Sequence, residues 1–460
     1  MGRSKQPEDH VESEDEDGED LGPWTRVESL KPAGDIWVDP EAPTAQPSWE
    51  VPHGETGESA EDKDASSTEL YAAGEVWEEL IVYKKSIIKP SDINQGGLGD
   101  CWFLSAIAAL SEEPKRVRSL FLNNMAHDDG GLRIKFYKSG REVVVSVDDQ
   151  LYFNEEDDLF YASIKGNEMW VPLLEKAYAK LHGSYAALSG GWPEEAMEDL
   201  TGCPGKCYEI ADFEGDLWAS ILSWHAEGYL LCCSTGTVKK KKAKGIVDMH
   251  AYTMLTAQEA HGFKLVHIRN PWGEGEWKGA WSDNSPLWEQ YPDIKRELYD
   301  VNADDGVFWM AFEDFVKVYE TVHVGFVTET ARGRLPAAFD EDTETLSFSL
   351  TVTDADTVFV QAHQEDPRME GSREDMLALR VTIEDAAEEE VFTNESEAGD
   401  RSVLVIATDL QPGEYTVYVE AVDGCPEDDR RFVLTAHSSE KGVKIDGPFE
   451  NEDEEDEEED

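Results

Sequence analysis

A nearly all-apolar run follows Asp100: Cys101, Trp102, Phe103, Leu104, Ile107 and Leu110 stand with Ala106, Ala108 and Ala109 between them. Apolar on every side, it predicts a helix buried inside a core rather than laid on a surface. Asp100 is its predicted N-cap. A second helix is predicted over 169–181, with strands over 132–136 and 142–147, so the segment 71–212 reads as mostly helical. From 213 to 327 the pattern turns strand-like after a predicted helix over 216–226, with extended runs at 249–255 and 263–268. Residues 328–440 change again. Short alternating segments appear at Leu346/Phe348/Leu350, Val358/Val360, Leu377/Leu379/Val381/Ile383, Val403/Val405, Tyr415/Val417/Val419 and Phe432/Leu434. Strands this short and regular, parted by Gly, Pro, Asp and Asn, predict an antiparallel β-sandwich.

Charge marks off the two ends. The 460-residue chain carries a formal charge of −60. Residues 1–70 hold 20 acidic and 5 basic side chains, and residues 450–460 hold 10 acidic and none basic, so the ends account for −25 of that total. Blocks of like charge with few apolar residues repel themselves and stay solvated. Residues 1–70 are therefore expected to form a disordered acidic leader, and 441–460 a disordered acidic tail. A field this negative repels nucleic acid and anionic membrane surfaces. No run of about eighteen apolar residues and no signal-peptide pattern occurs, so neither a transmembrane segment nor secretion is expected. Six irregularly spaced cysteines, two of them the adjacent Cys232 and Cys233, make no disulfide framework and suit a cytoplasmic or other intracellular location. Cys203 and Cys207 have no paired Cys/His set to complete a tetrahedral metal site.

The start of the first helix holds the candidate chemistry. A helix N-terminus carries partial positive charge and unpaired N–H groups, which favour a thiolate over a thiol at Cys101. Gly96, Gly97 and Gly99 let the preceding backbone turn tightly and approach a substrate closely. An inert buried cysteine suits the same position, so its partners decide between the readings. Thiol catalysis needs an imidazole to take the proton and a third group to hold that imidazole in the right tautomer. His250 lies in one β-like segment, and Asn270 ends another, just before Pro271-Trp272-Gly273. Neighbouring antiparallel strands would set the ring and the carboxamide side by side. Cys precedes His by 149 residues and His precedes Asn by 20, the papain-type order and spread.

Several longer motifs surround these residues: 95–102 (QGGLGDCW), 173–180 (LLEKAYAK), 188–191 (LSGG), 250–252 (HAY), 269–274 (RNPWGE), 276–283 (EWKGAWSD) and 305–310 (DGVFWM). Over residues 80–325 the chain resembles the calpain cysteine proteases. The resemblance implies an α+β fold: a two-lobed, papain-like protease core followed by a calpain-type β-sandwich. It divides the ordered part into a Cys-bearing helical lobe (71–212), a sheet lobe carrying His and Asn (213–327) and the sandwich (328–440). It implies that Cys101 is the nucleophile, His250 the general base and acid, and Asn270 the orienter. Gln95 would add a side-chain donor to the oxyanion hole, with Trp272 and Gly99 at the substrate cleft. The function implied is an intracellular endopeptidase making limited cuts in protein substrates. A catalytically silent calpain-fold scaffold or calcium sensor is the alternative, which the intact triad disfavours. No Asp-rich EF-hand loop with its closing Glu follows, so the chain is expected to be an atypical member without that module.

The resemblance also implies one calcium ion per lobe. Asp92 matches a ligand in the helical lobe, with the carbonyls of Lys85 and Ile87, but Ala186 stands where a glutamate is expected. Glu276, Asp283 and Asp305 match in the sheet lobe, with the carbonyl of Ala303, but Val307 replaces the last carboxylate. Calcium dependence is expected to be weakened or lost, the sheet-lobe site being the better preserved. Finally, Lys239–Lys242 and Lys244 form the one dense basic run, just before the His250 segment. They are expected to stay solvated, to attract acidic substrate segments, or to hold the molecule's own acidic tail across the cleft.

Overall fold

The buried helix predicted after Asp100 organises the first lobe. A computed structural model describes residues 69–72 and 88–449, apart from 124–130, 155–157, 165–167, 238–243, 300–304, 329, 341–342, 355, 365–375, 423, 425–429 and 439–441. The first lobe opens with β1 (Glu69–Ala72) and β2 (Ile93–Asn94), then α1 (Cys101–Ser111) and α2 (Pro114–Arg118). Strands β3 (Leu132–Lys138), β4 (Arg141–Val147), β5 (Gln150–Phe153) and β6 (Ser163–Ile164) follow, then α3 (Trp170–Leu181) and α4 (Pro193–Thr201). Every residue of α1 from Trp102 to Ser111 is buried, and only Cys101 at its start is half-exposed. Phe103 stacks on Tyr178 of α3 with ring centroids 4.0 Å apart, and Trp102 packs obliquely on the same ring. Each large side chain buried this way contributes about 1.5–3 kcal/mol. Together these contacts fix α1 and, with it, Cys101.

The second lobe is a mixed-order antiparallel sheet flanked by helices. Its strands are β7 (Gly205–Glu209), β8 (Leu230–Ser234), β9 (Ala251–Ala260), β10 (Phe263–Arg269), β11 (Val307–Ala311) and β12 (Thr321–Gly325), in the spatial order β11-β10-β9-β8-β12-β7. Between them lie α5 (Leu217–Ala226), α6 (Leu287–Gln290), α7 (Pro292–Leu298) and α8 (Phe312–Val318). Asp216 caps α5, accepting a bond from the Ala219 N–H at 3.2 Å. One face of the central strands meets α1, where the Thr253 hydroxyl donates to the Ser105 carbonyl at 2.8 Å.

The sandwich packs a four-stranded sheet, β13-β20-β15-β18, against a five-stranded one, β17-β16-β19-β14-β21. Its strands are β13 (Thr330–Phe339), β14 (Thr345–Val352), β15 (Asp356–Gln364), β16 (Leu379–Glu384), β17 (Glu390–Glu395), β18 (Ser402–Leu410), β19 (Gly413–Ala421), β20 (Arg430–Ser438) and β21 (Val443–Phe449). Inward positions such as Phe348, Leu350, Val360, Val381, Val417 and Leu434 fill one core, as the alternation predicts. The sandwich is fixed to the protease core by charge as well as packing. Arg401 donates to Glu198 of α4 at 2.5 Å, and the Gln361 amide donates to the same carboxylate at 2.7 Å.

Four expectations need correction. Asp100 occupies the N-cap position of α1, but its side chain makes no capping bond; it is buried and pairs with Glu175 of α3. The sheet lobe starts before residue 213, because Gly205–Glu209 pairs with β12. Glu69 and Leu70, assigned to the leader, pair with β5. Val443–Phe449, assigned to a disordered tail, pairs with β14 as the edge of the sandwich, with Val443 and Ile445 facing its core.

Candidate active site

Two strands aim the imidazole and the carboxamide at one point. β9 and β10 pair antiparallel with Arg269 opposite Thr253, so His250, just before β9, and Asn270, just after β10, meet at one end of the sheet. His250 Nε2 and Asn270 Oδ1 are 2.8 Å apart. Asn270 is fully buried, and its amide has no freedom to turn. Its Nδ2 donates to the Glu274 and Gly275 carbonyls at 2.8 and 3.0 Å, while Oδ1 also accepts from the Trp272 N–H at 3.1 Å. That pattern fixes oxygen toward the ring, so Nε2 carries the hydrogen and Nδ1 is left as the basic nitrogen.

The backbone under His250 is pinned too. Met249 has a φ of 47°, a strained value for a residue with a side chain. The strain is held by the His250 N–H donating to Thr235 Oγ1 at 3.1 Å and the Thr235 N–H donating to the His250 carbonyl at 3.0 Å. Trp272 lies over the ring, with centroids 4.7 Å apart and planes tilted by 49°.

Cys101 comes to this point from the other lobe. Its thiol lies against the backbone N–H of Ala251, the residue after His250. The lobes are joined around it: the Gln95 N–H donates to the Pro271 carbonyl at 2.9 Å, and the Arg269 guanidinium donates to the Ile93 carbonyl. Gln95 Nε2 donates one hydrogen to the Leu98 carbonyl at 2.7 Å. The Gly99 carbonyl accepts from the Gly190 N–H at 2.9 Å, bracing the loop ahead of Cys101. Gly191 has no room for a Cβ, which would sit 2.4 Å from the Trp102 indole.

Burial governs both titrating groups. It pushes the Cys101 thiol up to about 11, the negative Asp100 adding to it and the Ala251 N–H opposing it. It lowers His250 to about 4, against the bond to Asn270. In this arrangement both are neutral at pH 7, so the thiolate that the helix N-terminus was expected to favour is not the resting form, burial outweighing the helix end. Behind Cys101, burial and then the Asp100 charge raise the Glu175 carboxyl well above its usual range, so the Asp100–Glu175 pair shares a proton.

The predicted calcium residues fall in two groups. In the sheet lobe, Glu276 Oε1 accepts from the Asp305 and Gly306 N–H groups, both at 3.1 Å, and Asp305 Oδ1 accepts from the Val307 N–H at 3.1 Å. The Asp283 carbonyl accepts from the Tyr299 hydroxyl at 3.1 Å. Glu276 and Asp305 are thus neighbours whose hard oxygens suit calcium, but the Asp283 carboxylate does not close a trio with them within ligating distance. In the helical lobe the set does not fit. Ala186 offers no carboxylate, and Asp92 feels the buried Arg269, whose own proton Asp305 and Asp92 help to retain. The carbonyls of Lys85, Ile87 and Ala303 lie outside the described residues, as do Lys239–Lys242 and 450–460. Lys244 is described: its Nζ lies 4.8 Å from the Trp277 ring centre.

Sequence reading missed Thr235, the Glu175 partner of Asp100 and the backbone acceptors that orient Asn270, since each acts through space without a local pattern. Among the described residues all five cysteines are free thiols, and no helix is long and apolar enough to cross a membrane.

Comparison with known proteins agrees with this geometry. A family model described as calpain family cysteine protease matches residues 51–325. The calpain-type cysteine protease DEK1 of Zea mays is 41% identical over 249 residues, covering 52% of this chain and 11% of that protein. Calpain-8 of Rattus norvegicus is 40% identical over 250 residues, covering 51% of this chain and 35% of that protein. The calpain-1 catalytic subunit of the same species is 39% identical over 253 residues, covering 52% and 36%. The chain thus matches between about a tenth and about a third of the length of these relatives. Because the family model takes in more than half of the sequence, including both lobes that meet at Cys101 and His250, the chain belongs to the calpain family of cysteine proteases.

Proposed function

We propose that this chain is an intracellular cysteine endopeptidase that makes limited cuts in protein substrates. The observation that carries the reading is the His250–Asn270 bond at 2.8 Å, with the Cys101 thiol seated against the next backbone N–H. Cys101 Sγ attacks the carbonyl carbon of a peptide bond as its proton passes to His250 Nδ1. Asn270 holds the resulting imidazolium by its Nε2–H. The Cys101 N–H and Gln95 Nε2 stabilise the oxyanion. An amide nitrogen carries two hydrogens, so the bond to Leu98 leaves one of them for this role. The tetrahedral species collapses, breaking the C–N bond, and His250 gives its proton to the leaving amine. Water, deprotonated by the same ring, then attacks the thioester and releases the acid and the free thiol. Free cysteines throughout the described residues support a reducing compartment.

Calcium, when bound, supplies positive charge that draws carboxylate loops together. Glu276 and Asp305 would hold it in the sheet lobe, with Asp283 drawn in toward them, stiffening the loop that orients Asn270. With Ala186 in the helical lobe, the response is read as weakened: activity changes little between chelator and millimolar calcium, and a steep cooperative rise would overturn this. The Lys239–Lys244 run and the acidic tail form, on this reading, a salt-sensitive self-contact. Deleting residues 450–460 then raises turnover at low salt, and unchanged turnover counts against the contact. The decisive experiment for the activity is casein cleavage by the purified chain. Cleavage abolished in Cys101→Ala supports the reading. An inert wild-type protein with unreactive Cys101 would favour the non-catalytic scaffold.

A further inference from the structure

A second cluster of reactive side chains lies on the sheet away from the candidate active site. Glu194 sits at the start of α4 in the helical lobe, while Cys207 on β7 and His323 on β12 face each other in register in the sheet lobe. One oxygen of Glu194, the Cys207 sulfur and a ring nitrogen of His323 all lie within 4.8 Å of one another. We propose that Glu194, Cys207 and His323 form a site for a zinc-class divalent cation that ties the two lobes together. This inference is independent of the proposed proteolysis.

The geometry and the surroundings both suit such an ion. A point central to three atoms that far apart is at most about 2.8 Å from each, so shifts of about 0.5–0.8 Å, with the Glu194 carboxylate turning to open its contact with His323, reach the 2.0–2.3 Å bonds of zinc to O, N and S. Glu194 and Cys207 are half-buried and can make that shift. His323 is fully buried and already oriented. Its Nδ1 faces Glu194 Oε2 at 2.6 Å. Its Nε2 lies 2.8 Å from Ser234 Oγ and 2.9 Å from Thr321 Oγ1. Moving the ring proton to Nε2 frees Nδ1 for the metal and gives that proton a hydroxyl acceptor, the outer-shell partner a histidine ligand needs.

A cavity of about 370 Å³ between α4, β7 and the sandwich is lined by Glu194 and Cys207 and leaves room for a water as fourth ligand. Trp192, its ring centre 6.3 Å from that of His323, covers one side. Glu209 lies close enough to His323, Glu320 and Asp212 to feel their charges, and these carboxylates give the region a negative potential that favours a cation.

The test uses the full chain carrying Cys101→Ala, which removes the competing active-site thiol, titrated with cobalt(II) as the spectroscopic probe and with zinc. The expected result is one cobalt per chain with a sulfur-to-cobalt charge-transfer band, displaced by zinc, and a raised unfolding temperature. Cys207→Ser abolishes the band, and Glu194→Gln weakens binding by about tenfold or more while leaving the fold intact. A band that survives Cys207→Ser, binding untouched by Glu194→Gln, or no binding at all overturns the proposal.

Discussion

Replacing Asn270 by alanine separates orientation from mere structure at the candidate triad. The carboxamide is fully buried and makes four contacts: the His250 ring, the Trp272 N–H, and the Glu274 and Gly275 carbonyls. The Glu274 and Gly275 carbonyls belong to residues open enough for water to replace the lost donor, whereas the Nε2–H of the buried His250 is not so rescued. At about 1–3 kcal/mol for each group left without a partner, the His250 ring and the Trp272 N–H together lose about 2–6 kcal/mol. The chain stays folded but melts several degrees lower. The larger effect is on chemistry: with nothing selecting the tautomer, kcat/KM on a peptide substrate falls by about 10²-fold, the lower range of what a positioned base contributes. Asn270→Asp is the matched control. It keeps an acceptor for the ring but sets a carboxylate oxygen against two carbonyls at 2.8 and 3.0 Å, so it lowers stability more than Asn270→Ala does. Parallel measurement of kcat/KM and thermal unfolding decides the matter. An Asn270→Ala protein with a lower melting temperature and unchanged kcat/KM would refute the orienting role.

Other outcomes follow from single contacts. Gly191→Ala drives a methyl to within 2.4 Å of the Trp102 indole, one residue from Cys101, and is expected to cost about 1–3 kcal/mol and slow alkylation of that thiol; unaltered unfolding and alkylation would show that the loop yields freely. Arg401→Ala strips the guanidinium from the largely buried Glu198, which keeps only Gln361 and the Gly205 N–H. The sandwich is expected to loosen by about 2–4 kcal/mol and to unfold in a separate calorimetric step, whereas a single unshifted transition would count against a charged latch. The pH dependence has a definite sign. Burial disfavours the imidazolium, so the base form of His250 persists down to about pH 4, and alkylation of Cys101 by iodoacetamide should fall only below that point. A limb near the ordinary histidine value would mean that the ring is solvated.

How much of this was legible in the sequence depended on whether a signal was local. The α1 helix was, because nine apolar residues in ten cannot face water. So were the sandwich strands, whose alternation has one strict period, and the strands beside His250 and Asn270. The boundary errors have a common cause. β21 alternates at Val443 and Ile445, but it abuts an acidic run whose composition outweighed it. β7 is only half-buried and shows no clear period. β17 is an exposed edge strand with a polar sequence, which periodicity cannot separate from a loop. Pairings across the chain left no trace at all. Asp100 reads as a cap because its partner Glu175 lies 75 residues away on another helix, and Cys207 appears alone until β12 brings His323 beside it.

Proteolysis by this chain, as proposed, depends most on Cys101 being activated by His250. Mass spectrometry of the intact protein after incubation with an epoxide thiol inhibitor tests that link directly. One adduct on Cys101 is predicted, with casein cleavage lost in step, and neither adduct nor cleavage in His250→Ala. Labelling of Cys101 at the same rate without His250, or proteolysis that continues once Cys101 is fully modified, would contradict it.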